Sequence, residues 1–332
     1  MRRKRIISML CVLVILLTSF SVPVHANNNT NIVDTSKHTY SFLEMQEDLA
    51  LLDLKYPDLI EVSSVGTSVD GRAIYQVIMG NKNAKNAIYI QASIHGREWM
   101  NTWIMMESLE MCLDNWNTGI ALNGETYGQV FQDCCIYLLP MVNPDGVTIS
   151  QYGLKAINNE AVRNNCKLMP GAKSSKKWKA NANGVDLNRN FSTGWNSKID
   201  VLKPGSEFYN GVGPFTEPET LAIKSALDQR KFTAAITYHS MEGAIYWDLG
   251  QEGALRDQTL TFATHCKNIT GYPLRSAATL KGLDYNYMIW EKGIPTVCIE
   301  TGTVACPLPY SQFKKLWKQN GYMMPTLAAC YQ

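Results

Sequence analysis

Apolar runs that alternate with helix-length segments constrain this chain more than any other feature. Ala87 to Ala92 is apolar at every position except Gln91, the pattern of a strand covered on both faces. Cys135–Val142, Phe232–Tyr238 and Ile294–Glu300 are further strand-like runs. Between and after them the spacing predicts helices over Trp99–Trp116, from Thr216-Glu217-Pro218-Glu219 to about Arg230, over Thr261–Ile269, and from Ser311 to Cys330 with an interruption at Gly321. Pro218 falls in a first turn, where its missing N–H is harmless. Strands alternating with helices imply an α/β sheet covered on both faces.

The first folded residues are equally marked. Ser41 with Glu44 forms a capping-box pattern, and Phe42, Met45, Leu49 and Leu52 recur at helical spacing until Tyr56-Pro57. Ile60–Val65 and Ala73–Met79 read as an antiparallel hairpin closed across Val69-Asp70-Gly71-Arg72. The expected fold class is therefore α/β, a single domain with a mixed parallel/antiparallel twisted sheet and helices on both faces. Asn143-Pro144-Asp145-Gly146 reads as a turn cluster. Residues 150–190, rich in Asn, Lys and Gly, read as a long loop and a candidate pocket wall beyond the strand ends.

Composition narrows the class. With 45% hydrophobic and 18% charged residues in 332, the chain is neither disordered, collagen-like nor a coiled coil. Met1-Arg2-Arg3-Lys4-Arg5, an apolar stretch from Ile6 to Val22 and Val24-His25-Ala26 together read as a secretory signal over 1–26. A polar leader follows over 27–39, expected to be flexible, and a single folded domain is expected over 40–332. Removing 1–26 takes away four basic groups and no acid, so the formal charge of +2 becomes 2 − 4 = −2, which gives no sign of a nucleic-acid partner. No stable membrane insertion is expected after cleavage, and the protein is expected to be secreted, extracellular or wall-associated, and monomeric. Eight cysteines remain: an exported chain permits disulfides, but their pairing cannot be read from spacing, and no C-x-x-C suggests a thiolate metal site.

Two of the few histidines directly follow strand-like runs. His95 follows Ala87–Ala92 and lies three residues before Glu98; His239 ends Phe232–Tyr238. Only a fold that gathers strand ends could add His239 to the pair, but two His and one Glu with an open fourth position is the ligand set of a hydrolytic zinc site. A lone His-x-x-Glu also occurs on ordinary surfaces, so the surrounding motifs decide.

Those motifs resemble the zinc metallocarboxypeptidases of the carboxypeptidase A type. The likeness runs from about Tyr40 to about residue 320, in order, through Gly66-Thr67-Ser68 with Gly71-Arg72, His95-Gly96-Arg97-Glu98-Trp99, Asn143-Pro144-Asp145-Gly146, Gly184-Val185-Asp186-Leu187-Asn188-Arg189-Asn190-Phe191, Phe215-Thr216-Glu217-Pro218-Glu219-Thr220, Tyr238-His239-Ser240 and Ile299-Glu300. The resemblance implies one zinc ion per chain held by His95, Glu98 and His239, with Glu300 as the catalytic carboxylate. It also implies that Asn188 and Arg189 meet a substrate's terminal carboxylate, a task that suits the planar arginine fork. Lys179, in Trp178-Lys179-Ala180-Asn181, falls where many relatives carry an arginine that stabilises the oxyanion.

There are departures too. Ser276–Leu283 contains no tyrosine to cover a substrate, while Tyr285 and Tyr287 lie closer to Glu300. Leu283 falls near the base of the family's specificity pocket and argues against a basic terminal residue. The motifs look most like a bacterial branch that includes γ-D-glutamyl-diaminopimelate peptidases. The expected activity is release of residues beside a free C-terminal carboxylate. The alternatives are hydrolysis of peptidoglycan stem peptides, and a zinc-containing protein that binds wall peptides without cutting them.

Overall fold

A computed structural model describes residues 31–197, 201–278 and 282–331; the signal segment expected over 1–26 lies outside them. One eight-stranded sheet forms the centre: β1 Ile60–Thr67, β2 Ala73–Met79, β3 Asn86–Ala92, β4 Cys134–Leu139, β5 Ala234–His239, β6 Ala244–Asp248, β7 Leu274–Ser276 and β8 Thr296–Glu300, in spatial order β1-β2-β4-β3-β5-β8-β6-β7. The pairs β3/β4, β3/β5, β5/β8 and β6/β7 are parallel; β1/β2, β2/β4 and β6/β8 are antiparallel. The mixed sheet expected from the sequence is thus the one observed.

The helices among the described residues are α1 Phe42–Lys55, α2 Met100–Asp114, α3 Tyr127–Asp133, α4 Pro144–Tyr152, α5 Glu160–Leu168, α6 Pro218–Asp228, α7 Gly253–Thr270, α8 Asp284–Trp290, α9 Phe313–Asn320 and α10 Met323–Ala328. They cover both faces because the pleat sends alternate side chains to opposite sides. Ile88 and Ile90 join a core with Trp103, Leu109, Phe262 and Leu316 from α2, α7 and α9; Ala87 and Tyr89 join another with Ile223, Leu227 and Met288 from α6 and α8. The Ser41/Glu44 capping box is formed, with Glu44 N–H donating to Ser41 Oγ and Ser41 N–H donating to the Glu44 carboxylate.

Several local expectations change. Asn143-Pro144-Asp145-Gly146 opens α4 instead of making a turn: the Asn143 side chain accepts from Gly146 N–H, and Pro144 takes the first helical position. The stretch 150–190 is not one loop but carries α5 and three short 3-10 turns, at Leu154–Ala156, Ala172–Lys177 and Leu187–Arg189. Helix α7 starts at Gly253, well before Thr261, because polar residues on its exposed face hide the period. The leader is docked from Ile32 on: Ile32 and Val33 N–H donate to Glu110, and Val33 is buried. All eight cysteines outside the signal segment are unpaired thiols, most of them core residues.

Topology places the site. Strands β3, β5 and β8 are consecutive parallel neighbours, so their carboxyl ends open on one edge of the sheet. His95 comes three residues after β3, His239 ends β5 and Glu300 ends β8. Ligands gather beyond such strand ends in open α/β sheets.

Candidate metal centre and catalytic edge

After β3 the chain enters a single 3-10 turn, Gly96–Glu98, which swings Glu98 back beside His95. That turn lies hard against the start of α4. A Cβ on Gly96 would meet the Gly146 carbonyl at 2.2 Å, so only glycine fits. Gly96 N–H also donates to the Lys179 carbonyl at 3.0 Å, tying the turn to the segment beyond α5.

Three buried side chains converge. His95 Nδ1 is 2.8 Å from Glu98 Oε1, His239 Nδ1 is 3.1 Å from Glu98 Oε2, and the two Nδ1 atoms are 3.3 Å apart. Among the described residues this is the one His/Cys/Asp/Glu group with ligand atoms close enough to hold a metal ion. Two imidazole nitrogens and a carboxylate, all offering lone pairs to one point, can be satisfied together only by a shared proton or a cation. Imidazole nitrogen and carboxylate oxygen are zinc donors, so the residues fit the ion.

The far side of each imidazole is also held. His95 Nε2 lies 3.2 Å from Asp186 Oδ1, while His239 Nε2 faces the Asn188 amide at 3.4 Å and Asp284 Oδ2 at 3.9 Å. Such outer carboxylates fix the ring tautomer and raise its basicity. Burial works against charge on His95, yet Glu98 and Asp186 hold its pKa above the ordinary value; for His239, Asp284 and Glu98 overcome burial by a wider margin. Glu98, opposed by burial, is held well below the usual carboxylate range by the two histidines.

Glu300 stands beside this group, its backbone in register with His239 across β5/β8. Its Oε2 is buried without a hydrogen-bond partner. Burial pushes the carboxyl up to about 7, with Glu98 adding to the rise and His239 and His95 opposing it. A carboxylate held poised near neutrality suits proton transfer.

The two cations named from the sequence both lie against one aromatic ring. Lys179 Nζ and Arg189 Cζ each lie 5.1 Å from the centroid of the Phe208 ring, and Arg189 Nε is 3.8 Å from Asp186 Oδ2. Asn188 is placed differently from Arg189: its Oδ1 accepts from Asp284 N–H at 2.9 Å and its amide nitrogen faces His239 Nε2 at 3.4 Å. Tyr285 and Tyr287 are buried in the core, Tyr287 packed against Phe191 and Phe215. Leu283 packs with Leu249, Tyr285 and Cys298. Sequence reasoning missed Asp186, Asp284 and Phe208; Asp186 lies inside the Gly184–Phe191 motif and Asp284 directly follows Leu283, whereas nothing about Phe208 marks it in the sequence.

A mixed sheet with two histidines and a glutamate at its parallel edge, and a further glutamate one strand away, defines a metallopeptidase architecture. The model of the zinc carboxypeptidase family matches residues 45–319, and the chain belongs to that family of peptide hydrolases. Among curated proteins it is 31% identical to γ-D-glutamyl-L-diamino acid endopeptidase 1 of Lysinibacillus sphaericus over 85% of this chain and 70% of that protein. It is 28% identical to a carboxypeptidase B of Helicoverpa zea over 68% of this chain and 50% of that one. Among solved structures the fold is similar to thrombin-activatable fibrinolysis inhibitor, with a TM-score of 0.71, 20% identity, and 92% of this chain and 78% of that chain covered.

Proposed function

We propose that this chain is an exported zinc peptidase that cleaves an amide bond beside a free carboxylate, with His95, Glu98 and His239 as metal ligands and Glu300 as general base. The observation that carries the reading is the unpartnered, buried Oε2 of Glu300 next to a converged His-Glu-His set. Bound there, zinc supplies Lewis acidity that acidifies water toward a pKa of ~7 and polarises a carbonyl. Glu300 takes a proton from water and passes it to the leaving amine nitrogen. Arg189 receives a substrate carboxylate and Lys179 offers a point charge to the developing oxyanion. Leu283, apolar and half-buried among apolar neighbours, disfavours a basic side chain next to the scissile bond. Among the described residues, no helix is long and apolar enough to cross a membrane.

A second reading, hydrolysis of the γ-D-glutamyl bond to a diamino acid in peptidoglycan stem peptides, is favoured by the similarity to the Lysinibacillus sphaericus endopeptidase, which covers most of both chains. The two readings share every residue role above and differ in the bond presented to Glu300. Assaying an apolar C-terminal dipeptide beside a γ-D-glutamyl-diaminopimelate peptide separates them. Cleavage of the dipeptide alone removes the wall reading, cleavage of the second peptide alone removes the general carboxypeptidase, and binding without cleavage of either leaves a wall-peptide binder.

A further inference from the structure

We infer that Phe208 is a positioning residue, a shared aromatic platform that holds the heads of Lys179 and Arg189 together so that both act on one anionic substrate. The inference rests on the roles proposed above for those two cations. Both heads sit 5.1 Å from the centre of this one ring. Like charges repel one another, whereas the negative faces of an aromatic ring attract each head; Arg189 is drawn to Asp186 Oδ2 at 3.8 Å as well, and the ring gives both cations a common anchor.

The backbone supports a purpose for the ring. Phe208 has φ +69°, a left-handed conformation that a bulky side chain rarely adopts and that glycine would take without strain. A strained non-glycine residue persists where its surroundings over-determine it, and such residues cluster at functional sites. Here Phe208 N–H donates to Asp186 Oδ2 at 3.1 Å, and Asp186 Oδ1 pairs with His95. On one side of Phe208, Ser206 O accepts from Lys179 N–H at 2.9 Å and from Ala180 N–H at 3.0 Å; on the other, Tyr209 O accepts from Asp186 N–H at 2.8 Å. Segment 206–209 is thus stitched between the stretch of chain that carries Lys179 and the one that carries Asp186 and Arg189. The ring stands where the two meet, and its backbone bond continues to the residue that orients a metal ligand.

The test compares Phe208→Leu, which keeps apolar bulk and loses the π face, with Phe208→Tyr, which keeps the face, and Phe208→Gly, which relieves the backbone. Each is assayed on whichever of the two peptides the wild type cleaves. Leu is expected to lower kcat/KM about tenfold, with kcat falling and KM rising together, while zinc content is unchanged. Tyr restores most of the rate. Gly loses at least as much activity as Leu without a lower unfolding temperature. A merely structural role would lower kcat through lost active protein and leave KM alone, with losses that follow the unfolding temperature; that pattern, or wild-type kinetics for Leu, overturns the inference. A crystal structure of the Leu variant tests the platform independently of turnover: displaced Lys179 and Arg189 heads are expected, and heads left in place contradict the role of Phe208. A wild type inactive on both peptides counts against the proposed function, and the same crystal structure still decides the platform.

Discussion

His239 and Glu300 are register partners on neighbouring parallel strands, β5 and β8, although 61 positions separate them in the chain. That single pairing sets the proposed base beside a proposed metal ligand, with no loop closure required. Replacing Glu300 by Gln keeps the shape of the side chain and removes the proton acceptor. The expected outcome is a loss of kcat of about 10²–10⁴-fold with zinc retained at the wild-type ratio, measured by initial rates and metal analysis on the same preparation. Turnover within tenfold of wild type would show that another group takes the proton.

Asp186 reaches His95 Nε2 at 3.2 Å, so the carboxylate sets which nitrogen of that ring faces Glu98. Asp186→Asn retains an acceptor but loses the charge. Zinc affinity, read by competition with a chromophoric chelator, is expected to weaken about ten- to a hundredfold. Unchanged affinity would mean that His95 is oriented by its backbone alone.

The Asp186 and Asp284 contacts also mark where sequence reading stops. His95, Glu98, His239 and Glu300 are singled out by the motifs shared with the family; the topology then accounts for their meeting, since His95 and Glu98 follow β3 within a few residues and His239 and Glu300 end β5 and β8 at one edge of the sheet. Asp186 is visible within Gly184–Phe191, but which histidine it backs depends on how the segment after α5 folds, and no periodicity reports that. Asn143-Pro144-Asp145-Gly146 misleads because the same four residues suit a turn and a helix start; packing of Gly146 against Gly96 decides for the helix. Strands β6 and β7 are short and partly exposed, so they lack the long apolar run that reveals β3 and β5. Phe208 cannot be found from sequence at all, since the role proposed for it rests on a backbone conformation and two cations distant in the chain.

Glu107 on α2 offers a test of the fold apart from the site. Its Oε2 is buried without a partner, and burial, with Glu110 and Asp114 adding, pushes the carboxyl up to about 7 from an ordinary 4.5. The sign follows: the folded chain binds this proton more tightly than the unfolded chain, so folding stability falls as pH rises from about 4.5 through about 7. Glu107→Gln removes that loss. The variant is expected to be more stable than wild type above pH ~7, by about 1 kcal/mol once partial solvent screening is allowed for, and indistinguishable below pH ~4.5. Denaturant titrations across that range check it, and a difference that does not vary with pH would contradict the burial of this charge.

The central claim is that His95, Glu98 and His239 hold a zinc ion on which hydrolysis depends. The most direct measurement is zinc per chain in freshly purified, peptide-cleaving protein, followed through chelation and reloading. One zinc per chain is predicted, with activity lost in proportion to zinc removed and regained on adding one equivalent. Full peptide cleavage by protein holding well under one metal ion per chain would contradict the account.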